Sequence, residues 1–195
     1  MKRDVVLAGV GGQGVLSVAA ILAEAARREG LVVRQGEVHG MSQRGGAVQA
    51  SLRLADGPIE GDLVARGGAD LVLGVEPVEA LRYLEYLAPG GRLVTAADPY
   101  ENVPDYPPIE EVLAAVRAVP GSVLVEAGAL AREAGSGRVA NVVMVGAASA
   151  FLPISRGVIE ACLQEGFAAK GERVVEANLR AFALGRAAVS KGGDG

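Results

Sequence analysis

The chain has 195 residues, half of them hydrophobic and 22% charged, with a formal net charge of −4. Those figures describe one globular domain, residues 1–195, long enough to bury a substantial core, and they exclude a disordered chain or a general nucleic-acid binder. Its single cysteine, Cys162, excludes an intrachain disulfide and the four thiolates of an iron–sulfur cluster, and its single histidine, His39, argues against a structural zinc site.

Residues 5–8 form a short apolar run, the pattern of a strand covered on both faces. It begins so near the N-terminus that no signal peptide is expected, and no charge-free apolar run approaches the ~20 residues of a membrane span, so a cytoplasmic location is expected. Gly9, Gly11 and Gly14 follow at the spacing G-x-G-x-x-G, with Gly12 and Gln13 between them. From Val15 the pattern becomes that of a buried helix ending near Gly30. A glycine turn between strand and helix aims free N–H groups and the positive end of a helix dipole at whatever sits above it, and phosphate is the usual guest. The same turn can serve only to let strand and helix pack closely.

Residues 31–34 read as a second strand, reached by a right-handed crossover. A dinucleotide-binding domain places an acid at the end of that strand. Here Glu37 lies beyond Gly36, which disfavours NAD. Residues 37–46 are polar and punctuated by glycine, as in a loop. Residues 47–54 alternate as a half-buried strand, and residues 59–63 suggest a short pairing segment. No helix fits between Ser51 and Gly61, so a mixed sheet with an inserted antiparallel strand is expected.

Residues 69–75 predict another buried strand. Pro77 opens a helix through Leu87 that Pro89-Gly90-Gly91 stops. A strand at residues 92–96, a proline-rich surface loop at 98–108, a helix at 109–119 and a last strand at 122–126 follow. Beyond Gly128 the chain reads as helical: 129–134, a nearly all-apolar helix at 141–151, a helix at 156–164 with Ser155 as N-cap, and an amphipathic helix at 171–190. The 141–151 helix is rich in Ala and Gly and suits either a core or a contact surface. The fold class expected is α/β: a three-layer Rossmann-like fold with a mixed, mostly parallel sheet and a helical C-terminal part.

Catalytic machinery is scarce. A Ser/His/Asp relay has only His39 to build on, and the G-x-S-x-G elbow, the H-E-x-x-H zinc motif and the Walker sequence are absent. No catalytic or metal-ligating residue is assigned. In a doubly wound sheet the first two strand ends lie side by side, so the glycine turn and the 37–46 loop should meet. Arg44 either clamps a phosphate or carboxylate or pairs with an acid such as Glu37. Ser42 and Gln43 either donate to a ligand or cap the loop, and Gln13 reaches into the site or across to a partner. Cys162 falls on an apolar helix face and reads as packing. Asn141 reads as a helix cap.

The run Gly9-Val10-Gly11-Gly12-Gln13-Gly14-Val15, followed by Glu37-Val38-His39-Gly40-Met41-Ser42-Gln43-Arg44-Gly45-Gly46, resembles the gamma subunit, or gamma domain, of the 2-oxoacid:ferredoxin oxidoreductases. Within that family it is most similar to the small subunit of indolepyruvate:ferredoxin oxidoreductase. The resemblance continues through residues 141–146 and 178–182. It implies a non-autonomous subunit of an enzyme that oxidatively decarboxylates a 2-oxoacid, with coenzyme A taking the acyl group and ferredoxin the electrons. It implies thiamine diphosphate, magnesium and iron–sulfur clusters on partner subunits, and no tightly bound cofactor here. Coenzyme A is then expected near Gly9, Gly11, Gly12, Gln13, Gly14, Ser42, Gln43 and Arg44. The competing reading is a stand-alone Rossmann-like nucleotide-binding module without redox activity. In isolation the subunit is expected to self-associate if the 141–151 helix exposes an apolar face.

Overall fold

A computed structural model of the chain describes residues 1–39, 45–101 and 103–190, with His39 described in its backbone only. Six strands form one sheet: β1 (Lys2–Val10), β2 (Val32–His39), β3 (Ala47–Ala55), β4 (Ala69–Gly74), β5 (Leu87–Ala96) and β6 (Val123–Val125). Their order across the sheet is β2-β3-β1-β4-β5-β6. The β1–β4, β4–β5 and β5–β6 pairs are parallel, while β3 runs antiparallel to both β1 and β2. Five strands therefore point one way and β3 the other, which is the mixed sheet the missing helix between Ser51 and Gly61 implies.

Among the described residues seven α-helices cover it: α1 (Val15–Arg28), α2 (Pro77–Arg82), α3 (Ile109–Arg117), α4 (Ala127–Glu133), α5 (Ala140–Ser149), α6 (Arg156–Phe167) and α7 (Glu172–Ser190). The strand side chains divide between two cores. Val5, Leu7, Leu71, Leu73 and Val94 face the larger one with α1 and α4 to α7. Val6, Val72 and Leu93 face a smaller one with α2 and α3. That alternation, buried on both faces, is why the central strands read as unbroken apolar runs.

Several expectations change. β2 does not lie beside β1, because β3 is inserted between them. Its partner is β3, through to His39 against Val48, so Glu37, Val38 and His39 belong to a strand and not to a loop. Polar residues mislead there because β2 is an edge strand, with Val32 39% and Val38 53% exposed. Residues 59–63 pair with no strand, although Glu60 and Gly61 accept hydrogen bonds from Arg53 through their carbonyls. α2 ends at Arg82, and a short 3-10 turn, Leu84–Tyr86, leads into β5. β5 absorbs Pro89-Gly90-Gly91 as a bulge: Ala69 pairs with Leu87 and Leu71 with Arg92, so the residues between loop out of the ladder.

Ser155 stands at the N-cap position of α6 but makes no cap bond. Its N–H (2.8 Å) and hydroxyl both donate to the Glu29 carboxylate at the end of α1, which holds that carboxyl below the usual range. The apolar α5 is core, with residues 142–149 all buried. α7 and α1 cover it, so the face expected to drive self-association is already occupied.

Candidate functional site

The chain leaves β1 through α1 toward one face and leaves β4 through α2 toward the other. The crevice between the C-terminal ends of β1 and β4 is thus a topological switch point, where open α/β sheets bind ligands. A cavity of about 390 Å³ lies there. Gly12, Gln13 and Gly14 form one wall, and Val75, Ala96 and Asp98, from the ends of β4 and β5, form another. Arg138, Asn141 and Met144 close it from the helical C-terminal part.

The glycine turn is built residue by residue. Gly9 is the last tight point of β1, where a methyl group would collide with Val75 and Val15. Val10 to Gln13 is a turn closed by the Gln13 N–H donating to the Val10 carbonyl at 3.1 Å. Gly12 (φ +102°) and Gly14 (φ +82°) lie in the left-handed region that only glycine adopts cheaply. At Gly14 a Cβ would also sit 2.7 Å from Asn141 Nδ2. The backbone of the turn therefore lies directly against the Asn141 amide. The leading N–H groups of α1, which have no partner inside the helix, begin at this turn.

Gln13 lines the cavity and is also tied into the fold. Its Oε1 accepts from the Val10 N–H (2.8 Å) and its Nε2 donates to the Val75 carbonyl (3.3 Å). The side chain is a brace that fixes the turn to the end of β4. Gly11 joins the two predicted halves: its N–H donates to the Gly46 carbonyl (2.8 Å), and its carbonyl accepts from the Gly45 N–H (3.4 Å). The glycine turn and the second motif therefore meet in the backbone, even though β3 separates β1 from β2. Ser42, Gln43 and Arg44 lie outside the described residues.

The cavity wall beyond β5 is moored at two points. Asp98 accepts the Gly128 N–H in the first turn of α4 at 2.9 Å. Tyr106, farther along the same loop, donates its hydroxyl to Glu76. Glu76 is 1% exposed and caps α2 by accepting the Glu79 N–H at 2.7 Å. Burial, and then the bond to Glu76, push the Tyr106 phenol well above its ordinary range. Cys162 is buried among the core helices and its thiol is pushed up by that burial, so it is packing.

Sequence reasoning missed Asp98 and Arg138 and took Asn141 for a cap. Asn141 lies one residue inside α5, whose N-cap is Val139, and its amide makes no hydrogen bond among the described residues. The polar residue opening an otherwise apolar helix was the one available signal. Glu37, the acid weighed for a ribose, stands in β2, two strand spacings or about 10 Å from β1. It accepts a hydrogen bond from Gln35.

An open crevice at the switch point, a glycine turn and a helical C-terminal wall define a Rossmann-like α/β domain. Residues 4–188 match the family described as pyruvate ferredoxin/flavodoxin oxidoreductase. The chain belongs to that family, among the subunits of 2-oxoacid:ferredoxin oxidoreductases that its motifs resemble. It is 40% identical over 194 residues to the indolepyruvate oxidoreductase subunit IorB of Thermococcus kodakarensis, covering 94% of each chain. Its fold matches the keto/oxoacid ferredoxin oxidoreductase gamma subunit of Geobacter sulfurreducens with a TM-score of 0.69 and 24% identity, over 97% of this chain and 99% of that one. It also matches, with a TM-score of 0.77 and 23% identity over 97% of this chain, the 2-oxoglutarate:ferredoxin oxidoreductase of Magnetococcus marinus, whose structure holds 2-oxoglutarate, coenzyme A and succinyl-CoA. This chain spans about a third (31%) of that longer one. Among the described residues no helix is long and apolar enough to cross a membrane.

Proposed function

We propose that this chain works as the small subunit of a 2-oxoacid:ferredoxin oxidoreductase, acting on indolepyruvate or another aryl 2-oxoacid, and that its share of the active site is the coenzyme A side. The observation that carries the reading is the cavity at the β1/β4 switch point, where the glycine turn, the start of α1 and the uncommitted Asn141 amide converge. Positive backbone ends and an exposed arginine suit a phosphorylated ligand. The likeness in fold to a chain whose structure holds coenzyme A supports the same choice.

The residues do not fit the other cofactors of such an enzyme. The only cysteine is buried in the core, and the described residues contain no group of three or more His, Cys, Asp or Glu placed to hold a metal. Thiamine diphosphate, magnesium and the iron–sulfur clusters are therefore assigned to partner subunits, which also pass electrons to ferredoxin. This chain binds and orients the acyl acceptor and has no turnover alone. Gly9 and Gly11 serve by shaping the turn, Gly12 and Gly14 by lining the cavity, and Gln13 by both. Ser42, Gln43 and Arg44 complete the site in this reading.

The test is to co-express the chain with a thiamine- and cluster-bearing large subunit and follow coenzyme A-dependent reduction of ferredoxin by indolepyruvate. Asn141→Ala and Arg44→Ala should each raise the apparent KM for coenzyme A, by roughly tenfold or about 1.4 kcal/mol, with assembly intact. Unchanged KM in both variants would remove this chain from the acceptor side. Purification of the chain always alone and free of redox partners would favour a stand-alone nucleotide-binding module.

A further inference from the structure

We propose that a second, basic groove beside the cavity holds the phosphate-bearing nucleotide end of the same acceptor, whose thiol end lies in the cavity; the inference rests on the coenzyme A reading above. The groove, about 680 Å³, runs from Ser17 in the first turn of α1 past a short 3-10 turn (Gly137–Val139) to α7. Arg138 and Asn141 line both it and the cavity, so the two are continuous along one path.

Its chemistry is that of an anion site with an apolar floor. Arg138, Lys170 and Arg173 line it, and no carboxylate among the described residues does. The chain is acidic overall, and Arg28, Arg53 and Arg156 are all spent in ion pairs. Arg138, Lys170 and Arg173 have none among the described residues. Three unpaired cations on one concavity repel one another, and a bound polyanion relieves that repulsion. The Phe167 ring lines the same groove, with Lys170 Nζ 5.2 Å from its centre. A ring face beside cations suits a base attached to phosphates, and serves a bare phosphate or a simple carboxylate less well.

A buried polar group points the same way. Asn178 is 2% exposed and borders the groove. Its Nδ2 donates to the Val174 carbonyl at 2.7 Å. Its amide oxygen is an acceptor that an N–H or O–H donor in the groove, such as a base amino group or a ribose hydroxyl, can use.

The experiment uses the assembled enzyme and compares coenzyme A with pantetheine, which keeps the thiol arm and lacks the nucleotide. The double variant Lys170→Ala/Arg173→Ala changes two exposed side chains and should fold normally. It should raise the KM for coenzyme A about tenfold or more, leave kcat at saturation and the KM for pantetheine unchanged, and weaken the dependence of the coenzyme A KM on salt. A KM for coenzyme A that stays at the wild-type value while Asn141→Ala raises it would overturn the groove and leave the cavity reading standing. Equal losses for coenzyme A and pantetheine would also overturn the groove, by showing a structural effect. No change in any of the three variants, Arg44→Ala included, would overturn both.

Discussion

At the scale of single residues, the least comfortable group in the molecule is Glu79. It lies in the first turn of α2, 3% exposed. Its Oε2 has no hydrogen-bond partner among the described residues, and its Oε1 stands 3.7 Å from Arg82 Nε. Burial holds its carboxyl above the ordinary value; Arg82 opposes that rise and Glu76 adds to it. A carboxyl whose pKa is higher folded than unfolded binds its proton more tightly in the native state. Its contribution is favourable below the ordinary value of 4.5 and is lost as pH climbs through the raised one. Glu79→Gln keeps the shape and removes the charge. The Tm of the variant relative to wild type should therefore be higher at about pH 8 than at about pH 4 in paired thermal melts. An equal difference at both would mean that burial does not perturb Glu79. Other buried carboxylates avoid this cost by finding partners: Asp4, between Arg53 and Lys2, is an example.

At the scale of elements, the helical C-terminal part depends on how closely α5 and α7 approach. Gly146 faces the backbone of Phe182 and Arg186, and Gly185 faces the Val143 carbonyl. A methyl group at either glycine would collide with main chain, which cannot swing aside as a side chain can. A polar clasp fixes the crossing, with Arg186 Nη1 donating to Ser149 Oγ (2.8 Å) and that hydroxyl donating to the Gly146 carbonyl (2.6 Å). Gly185→Ala would normally favour a helix by up to ~1 kcal/mol. Here overpacking should outweigh it and cost about 2–3 kcal/mol in denaturant unfolding. A neutral or stabilised variant would mean that the two helices stand farther apart. Because Asn141 and Met144 belong to α5, a shift of this helix also moves one wall of the cavity.

At the scale of the whole molecule, protection should follow position in the sheet. β1 and β4 are central and buried on both faces, whereas β2 is an edge with one row of backbone groups unpaired. Amide deuterium exchange read by mass spectrometry should be slowest in β1 and β4 and fastest in β2. Slow exchange throughout β2 in the isolated chain would mean that its edge is covered, as by a second copy. Much of this architecture can be read in the chain itself. The unbroken apolar runs of β1 and β4 announce strands covered on both faces, and the change to helical spacing at Val15 places α1. The alternation through residues 47–54 announces the antiparallel strand. What misled was local polarity: Glu37 to His39 look like loop because an edge strand needs no apolar cover, and Pro89-Gly90-Gly91 look like a stop because a bulge uses the same residues.

The candidate site divides in the same way. The sequence by itself determined the glycine turn, its place between strand and helix, and the family motifs. These depend on residue type and short spacing, which the chain carries locally. Only the tertiary structure decided that Gln13 is a brace, that Asn141 lies against Gly14, and that Arg138 joins a cavity to a basic groove. Those facts arise from residues distant in the chain, 62 positions apart for Gln13 and Val75 and farther for Gly14 and Asn141. The last two follow from the packing of α5 and α7 against α1, α4, β5 and β6, and that contact is set by packing of the core rather than by any local pattern.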